Sequence, residues 1–286
     1  MAIQLVIDSS ADVPRNLVDR YGITVCPLSV HFGEEEYLDG VDLGPKEFYE
    51  KLVAGKGMPK TSQVTPERFK EAFLAAADAG KEVLCITIGS KASGTCQSAN
   101  IAKAEVEEER PEAAIAILDS NMLCMGQGYL AVLAARYIQE GWDMERILAQ
   151  LEPLTQNRIE HLFSVDTLEY LKRGGRIKPA AALVADVLNI KPVLRVVDAT
   201  TETIGKVRGR KKVIPFFLEH MRKTFDPEAN SFIAIAHAQD REFAEALADA
   251  VKETFQWEKE IIFAEVGATI GTHTGPGVVG IFYLKK

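Results

Sequence analysis

The chain contains no apolar run approaching the roughly 20 residues that a membrane-spanning helix requires, so no stable membrane insertion is expected. Its opening residues, Met1-Ala2-Ile3-Gln4, pass directly into a strand-like pattern without a basic and apolar leader, and the expected location is cytoplasmic. Cysteine is scarce. Cys26, Cys85, Cys96 and Cys124 are widely spaced with no C-x-x-C pair, which argues against a disulfide framework or zinc ribbon and leaves them as reduced small hydrophobes. His31, His161, His220, His237 and His273 lack metal-ligand spacing, so neither metal nor cofactor is expected. Excess positive charge is also missing: a net charge of −8 provides no broad basic field for a phosphate backbone, and no nucleic acid is expected as partner.

What is present describes an ordinary globular protein. A chain of 286 residues with 47% hydrophobic content can bury a large core, and its length favours two domains. Apolar runs at Ile3–Asp8, Ile23–Phe32, Val83–Gly89 and Ala114–Asp119 predict strands, while Pro45–Ala54, Pro66–Ala79, Ser93–Glu109, Met125–Glu140 and Met144–Leu154 predict helices. Continuous rather than alternating apolar strands imply cover on both faces, hence a mostly parallel sheet between helical layers. Gly55–Pro66 is rich in Gly, Pro, Ser and Thr and predicts a loop. Further on, strands are expected at His161–Val165, Pro192–Val197, Thr203–Arg208, Phe232–Ala238, Ile261–Val266 and Val278–Leu284, with helices at Ala180–Leu188, Lys212–Thr224 and Arg241–Thr254. The expected fold is therefore α/β in two domains: an N-terminal Rossmann-like three-layer domain over 1–160 and a C-terminal α/β domain over 161–286, with a ligand between them.

Three short polar segments point to that ligand: Lys60-Thr61-Ser62-Gln63, Ser93-Gly94-Thr95-Cys96-Gln97-Ser98 and Gly271-Thr272-His273-Thr274-Gly275-Pro276-Gly277. The middle one follows an apolar strand and opens a helical stretch, where free backbone N–H groups attract anions. Gly89 and Gly94 stand at P-loop spacing, but Thr95-Cys96 occupies the place of the Lys-Ser/Thr pair, so a nucleoside triphosphate does not fit. A carboxylate or a monophosphate suits the hydroxyls better. Two readings of Ser93 stay open, an N-cap of its own helix and a ligand donor.

Taken in order, these segments resemble the DegV family. The resemblance is carried by Asp8-Ser9-Ser10-Ala11-Asp12, Lys60-Thr61-Ser62-Gln63, Ser93-Gly94-Thr95-Cys96-Gln97-Ser98-Ala99, Leu118-Asp119-Ser120, Leu171-Lys172-Arg173-Gly174-Gly175-Arg176-Ile177, Ile190-Lys191-Pro192-Val193-Leu194, Gly205-Lys206-Val207-Arg208 and His273-Thr274-Gly275-Pro276-Gly277. Cys96 stands where the family usually has an aromatic residue. Characterised members are bacterial fatty-acid-binding proteins that serve a fatty acid kinase. The resemblance implies a long-chain fatty acid whose carboxylate meets Thr61, Ser62, Ser93, Gly94, Thr95 and His273, with its tail in an apolar tunnel. It also implies a kinase subunit as partner, which brings ATP and Mg²⁺, and acyltransferase machinery that uses the acyl phosphate for phospholipid synthesis. No catalytic residue is then needed on this chain.

The apolar faces of Leu123–Ile138 and Ala180–Ile190 are candidate tunnel walls. Arg173, Arg176, Lys206, Arg208, Arg210, Lys211 and Lys212 form two basic clusters, and Arg173 and Arg208 are the candidates for meeting the partner or the transferred phosphoryl group. The competing reading is a serine esterase with Ser93 as nucleophile and His273 as base, although Lys91 occupies the first glycine position of a G-x-S-x-G elbow.

Overall fold

The computed structural model describes residues 2–55, 57–177 and 189–286. Strand β1 (Ile3–Asp8) runs through a short 3-10 turn at Ser9–Ala11 into helix α1 (Arg15–Tyr21). Gly22 closes α1 at φ 61°, a left-handed conformation that glycine adopts without strain. The single strand expected at Ile23–Phe32 is two strands, β2 (Thr24–Cys26) and β3 (Ser29–Phe32), which belong to different sheets. Pro27 divides them: it has no N–H for a ladder, and its carbonyl accepts from Arg68 Nη1 at 3.2 Å.

Next come β4 (Glu35–Leu38), helix α2 (Pro45–Val53) and β5 (Lys60–Ser62). The stretch expected as uninterrupted loop therefore contributes a strand, because residues 60–62 find an unpaired edge on β3 and pair antiparallel with His31, Val30 and Ser29. Then follow α3 (Pro66–Asp78), β6 (Glu82–Thr87), α4 (Thr95–Glu109), β7 (Ile115–Asp119), α5 (Met125–Gln139) and α6 (Met144–Thr155). Thr65 caps α3 by accepting from the Arg68 N–H, with Pro66 at the first helical position.

The parallel sheet expected of the first half has the order β2-β1-β6-β7, and β3, β4 and β5 form a small antiparallel sheet beside it. The remaining elements are β8 (Ile159–Ser164), α7 (Glu169–Arg173), β9 (Ile190–Val197), β10 (Thr200–Arg208), α8 (Val213–Thr224), β11 (Phe232–His237), α9 (Arg241–Phe255), β12 (Glu260–Glu265), α10 (Ala268–Thr274) and β13 (Val279–Leu284). The helix expected at 180–188 lies outside the described residues. Strands of this half form a mixed sheet in the order β10-β9-β8-β13-β11-β12, in which β11 and β12 run parallel and the other neighbours antiparallel.

Helices α8 and α9 cover one face of that sheet, closing a core that includes Phe217, Met221, Leu247 and Val251. On the other face α5 packs against β11 and β13 while also contacting β1 and β6 of the parallel sheet. A helix held between two sheets must be apolar all round, and every residue from Met125 to Ala135 is buried. Among the described residues no helix is long and apolar enough to cross a membrane.

Tyr129 ties α5 to the second sheet: its ring stacks on Phe232 at 4.1 Å, and its hydroxyl lies 2.9 Å from both Asn230 Oδ1 and the Phe232 carbonyl. Tyr129→Phe keeps the stacking and removes the buried donor. It is expected to destabilise the fold by about 1–2 kcal/mol, read from urea denaturation; an unchanged midpoint would show that this bond does not join the halves.

Candidate functional site

Not all of the inner sheet face is covered by α5. A cavity of about 380 Å³ remains there, walled by Val196, Phe163, Gly280 and Phe282 of the sheet and bordered by Thr61, Ser62, Gln63, Ser93, Gly94, Arg176 and His273. Its volume falls in the range of small-molecule sites. The three polar segments thus meet at one place, although the chain separates Thr61 from His273 by 212 residues.

Each donor has a local reason for its position. Pairing of β5 with β3 extends the backbone at Thr61, whose Oγ1 lies 3.1 Å from His273 Nε2. Ser62, on the alternate side of the strand, is exposed and meets His31 Nε2 at 2.9 Å while still bordering the cavity. Ser93 Oγ lies 2.9 Å from Thr95 Oγ1 and accepts from the Thr95 N–H at 3.3 Å. Thr95 itself is wholly buried as the first residue of α4, and it supports Ser93 from behind without bordering the cavity. Gly94 leaves room for Gln63, whose Nε2 donates to Ser98 Oγ at 2.8 Å; a Cβ at Gly94 would overlap the Gln63 amide.

Gly271-Thr272-His273-Thr274 of the third polar segment forms the last part of helix α10. Buried carboxylates explain why so short a helix forms. Asp39 accepts from the N–H groups of Ala268 and Thr269 at 3.1 and 3.3 Å, and Asp12 accepts from that of Gly267 at 2.9 Å. These are the free donors of the first turn, and the negative charge faces the positive end of the helix. His273 therefore projects from the far end of a helix whose near end is fixed. Gly174, at the end of α7, lets the backbone lie against the His273 ring, where a side-chain carbon would overlap Nδ1.

Burial, and secondarily the nearby Arg176 guanidinium, push the His273 imidazole down to about 4, so the ring is neutral near pH 7. Its Nδ1 is buried without a partner. Arg176 donates to the Gly174 carbonyl at 2.6 Å and to the Ala92 carbonyl at 3.2 Å, bridging the end of α7 to the Ser93 turn. No Asp or Glu is among the described residues that border the cavity. One guanidinium, neutral hydroxyls and a neutral imidazole make a donor set suited to a single negative charge.

The arginine bordering the cavity is thus Arg176. Arg173 is exposed and paired with Glu169, and Arg208 is exposed on the edge strand β10; neither borders the cavity. The signal for Arg176 is the preceding Gly174-Gly175, with Gly175 at φ 68°, which turns the chain back at the end of α7. The wall is also differently built. Leu123 and Cys124 border the cavity, whereas the body of α5 lies in the core, and 180–188 are outside the described residues. In place of a helical stripe, alternate residues of strands, His161 and Phe163 on β8 and Gly280 and Phe282 on β13, supply the surface. The spacing Gly275-Pro276-Gly277-Val278-Val279-Gly280 matches a dinucleotide fingerprint, but it leads into β13 instead of opening a helix, so the phosphate-binding geometry is missing. The esterase pairing is not formed either: Ser93 is bonded to Thr95, and His273 Nε2 to Thr61.

Comparison with known proteins matches residues 2–286 to a family described as uncharacterised proteins of the DegV family. A DegV domain-containing protein of Clostridium perfringens is 38% identical over 280 residues, covering 97% of this chain and 95% of the relative. Among solved structures, a fatty-acid-binding DegV family protein from Thermus thermophilus superposes with a TM-score of 0.90 at 34% identity, covering 100% of both chains. A stearic-acid-binding protein from Eubacterium ventriosum superposes with a TM-score of 0.89 at 29% identity, covering 99% of this chain and 98% of the other.

His161, which also borders the cavity, is pushed down to about 3 by burial. In the unfolded chain both imidazoles gain protons below about 6.5, whereas in the folded protein they stay neutral until about 4 and about 3. Unfolding therefore takes up protons in this window, and the stability contributed by the neutral rings is present above pH 6.5 and lost as pH falls toward 4. Urea midpoints measured from pH 7 to 4.5 are expected to decline less steeply in His161→Leu than in the parent. Parallel curves would contradict the assignment.

Proposed function

The chain belongs to the DegV family, and on that premise we propose that it binds a long-chain fatty acid and presents its carboxylate to a separate fatty acid kinase. One observation carries the reading: Thr61, Ser93, Arg176 and His273 converge at a cavity whose remaining wall is largely apolar and, among the described residues, free of carboxylates. In this reading the fatty acid's carboxylate accepts from the hydroxyls of Thr61, Ser62 and Ser93, from the Gly94 N–H, and from His273, while Thr95 holds Ser93 in place. The tail lies along Phe163 and Phe282.

The two ends of the ligand contribute differently. About 15 methylenes at about 0.8 kcal/mol each give roughly 12 kcal/mol gross, against association and ordering costs on the order of 4–15 kcal/mol. The tail supplies most of the affinity, and the donor cluster fixes which end points outward. Because His273 is neutral, the site neutralises the carboxylate with one arginine, which leaves the head group nucleophilic for phosphoryl transfer. The chain then acts as a carrier, the kinase supplies ATP and Mg²⁺, and the acyl phosphate passes to acyltransferases of phospholipid synthesis.

Arg173 and Arg208 lie outside the cavity and accessible to a partner, which is where residues that meet a kinase or its phosphoryl group belong. His273→Ala is expected to weaken binding of hexadecanoic acid by the delipidated protein roughly tenfold, the effect of losing one donor to a charged group, with its urea midpoint at pH 7 little changed. Equal binding would remove His273 from the site. Arg173→Ala and Arg208→Ala are expected to bind the fatty acid normally and to slow its phosphorylation when kinase, ATP and Mg²⁺ are supplied. Loss of binding and of phosphorylation in equal measure would contradict the partner role.

A further inference from the structure

The wall of the cavity holds a second imidazole that the carboxylate reading leaves without a task. His161 lies on β8 opposite Phe282 of β13, at 5% exposure, and borders the same cavity as His273. Its ring packs against Phe282 and Phe163 at centroid separations of 4.3 and 5.2 Å, so apolar surface surrounds it. Its Nδ1 is buried with no hydrogen-bond partner. None of the hydrogen bonds that join Thr61, Ser93, Gln63 and Arg176 to their surroundings reaches it.

A neutral imidazole has one N–H donor and one acceptor nitrogen. Packed against two aromatic rings, the buried Nδ1 goes unmet, and a leucine or phenylalanine at this position would be the better wall for a purely hydrocarbon tail. A ligand whose only polar atoms are those of one carboxylate satisfies the His273 end and leaves His161 bare. A hydroxyl group on the tail carries the complementary donor and acceptor and can meet the imidazole in either tautomer.

We propose that His161 recognises an oxygen atom on the acyl chain, so that the preferred ligand is a fatty acid bearing a hydroxyl group along its tail. The inference rests on the fatty-acid reading above and deepens it by naming the substrate class. His161 is then a specificity determinant, and the rest of the site is indifferent to the substitution.

The test is a competition. Delipidated protein is offered octadecanoic acid together with monohydroxyoctadecanoic acids whose hydroxyl is stepped along the chain, and the bound acids are counted by native mass spectrometry. At least one positional isomer is expected to outcompete the unsubstituted acid by about tenfold, the effect of one buried hydrogen bond. In His161→Leu that margin, read as the ratio of the two acids bound by the same variant, disappears; His161→Phe serves the same purpose if the leucine variant does not fold. Absence of any preferred isomer in the parent protein, or a margin that survives in both variants, would overturn the proposal while leaving the carrier reading in place. Failure of the parent protein to take up any of the acids would overturn both.

Discussion

The site depends on a set of buried carboxylates that tie the beginning of the chain to its end. Asp12 and Asp39 accept from the first N–H groups of α10, Ser9 donates to Asp39 at 3.0 Å, and Asp12 also accepts from the Cys124 thiol at 3.0 Å. Burial pushes both carboxyls up, Asp12 well above its usual range, against the opposing pull of the Cys124 thiol on Asp12, of hydroxyls on Asp39 and of backbone donors on both. Asp8 stands one turn away, accepting from the Ile88 N–H at 2.7 Å and from Gln127 Nε2 at 2.9 Å. The turn after β1, the start of α5 and the start of α10 are thereby fixed together, and His273 and the Ser93 turn inherit their positions from that frame. Buried acids of this kind are structural in role: among the described residues no group of acidic, histidine and cysteine side chains is arranged to hold a metal ion.

From this frame follows an electrostatic division. Buried acidic side chains are gathered behind α10, held by backbone and side-chain donors, and the cavity beyond borders no carboxylate among the described residues. Hydroxyls of Thr61, Ser62 and Ser93, the neutral His273 imidazole and the Arg176 guanidinium border the cavity. The rest of its lining is largely aromatic and aliphatic, including Phe163, Phe282 and Val196. In the proposed binding mode, donors orient the ligand and apolar burial supplies most of the free energy.

Much of this was legible in the sequence wherever short-range chemistry decides the outcome. Continuous apolar runs identified β1, β6, β7 and β11, and the polar composition of three distant segments picked out stretches that the fold brings to one cavity. Errors came where long-range contacts decide. Pro27 divides one apolar run between two sheets, and an edge on β3 turns the Thr61 segment into a strand. The helix bearing His273 exists because Asp12 and Asp39 cap it from more than 200 residues away, a pairing that no local pattern carries. Arg176, which the basic cluster did not single out, borders the cavity after Gly174-Gly175 turns the chain at the end of α7. The wall was missed for a related reason: an apolar helix such as α5 reads equally as tunnel or core, and only its position between two sheets makes it core.

The most direct test of the central claim is the mass of the protein as purified, measured by native mass spectrometry and followed by denaturing extraction and mass analysis of what is released. The account predicts one fatty acid per chain, retained through purification and displaced by added fatty acid. A protein that is purified empty and takes up no added fatty acid would contradict it.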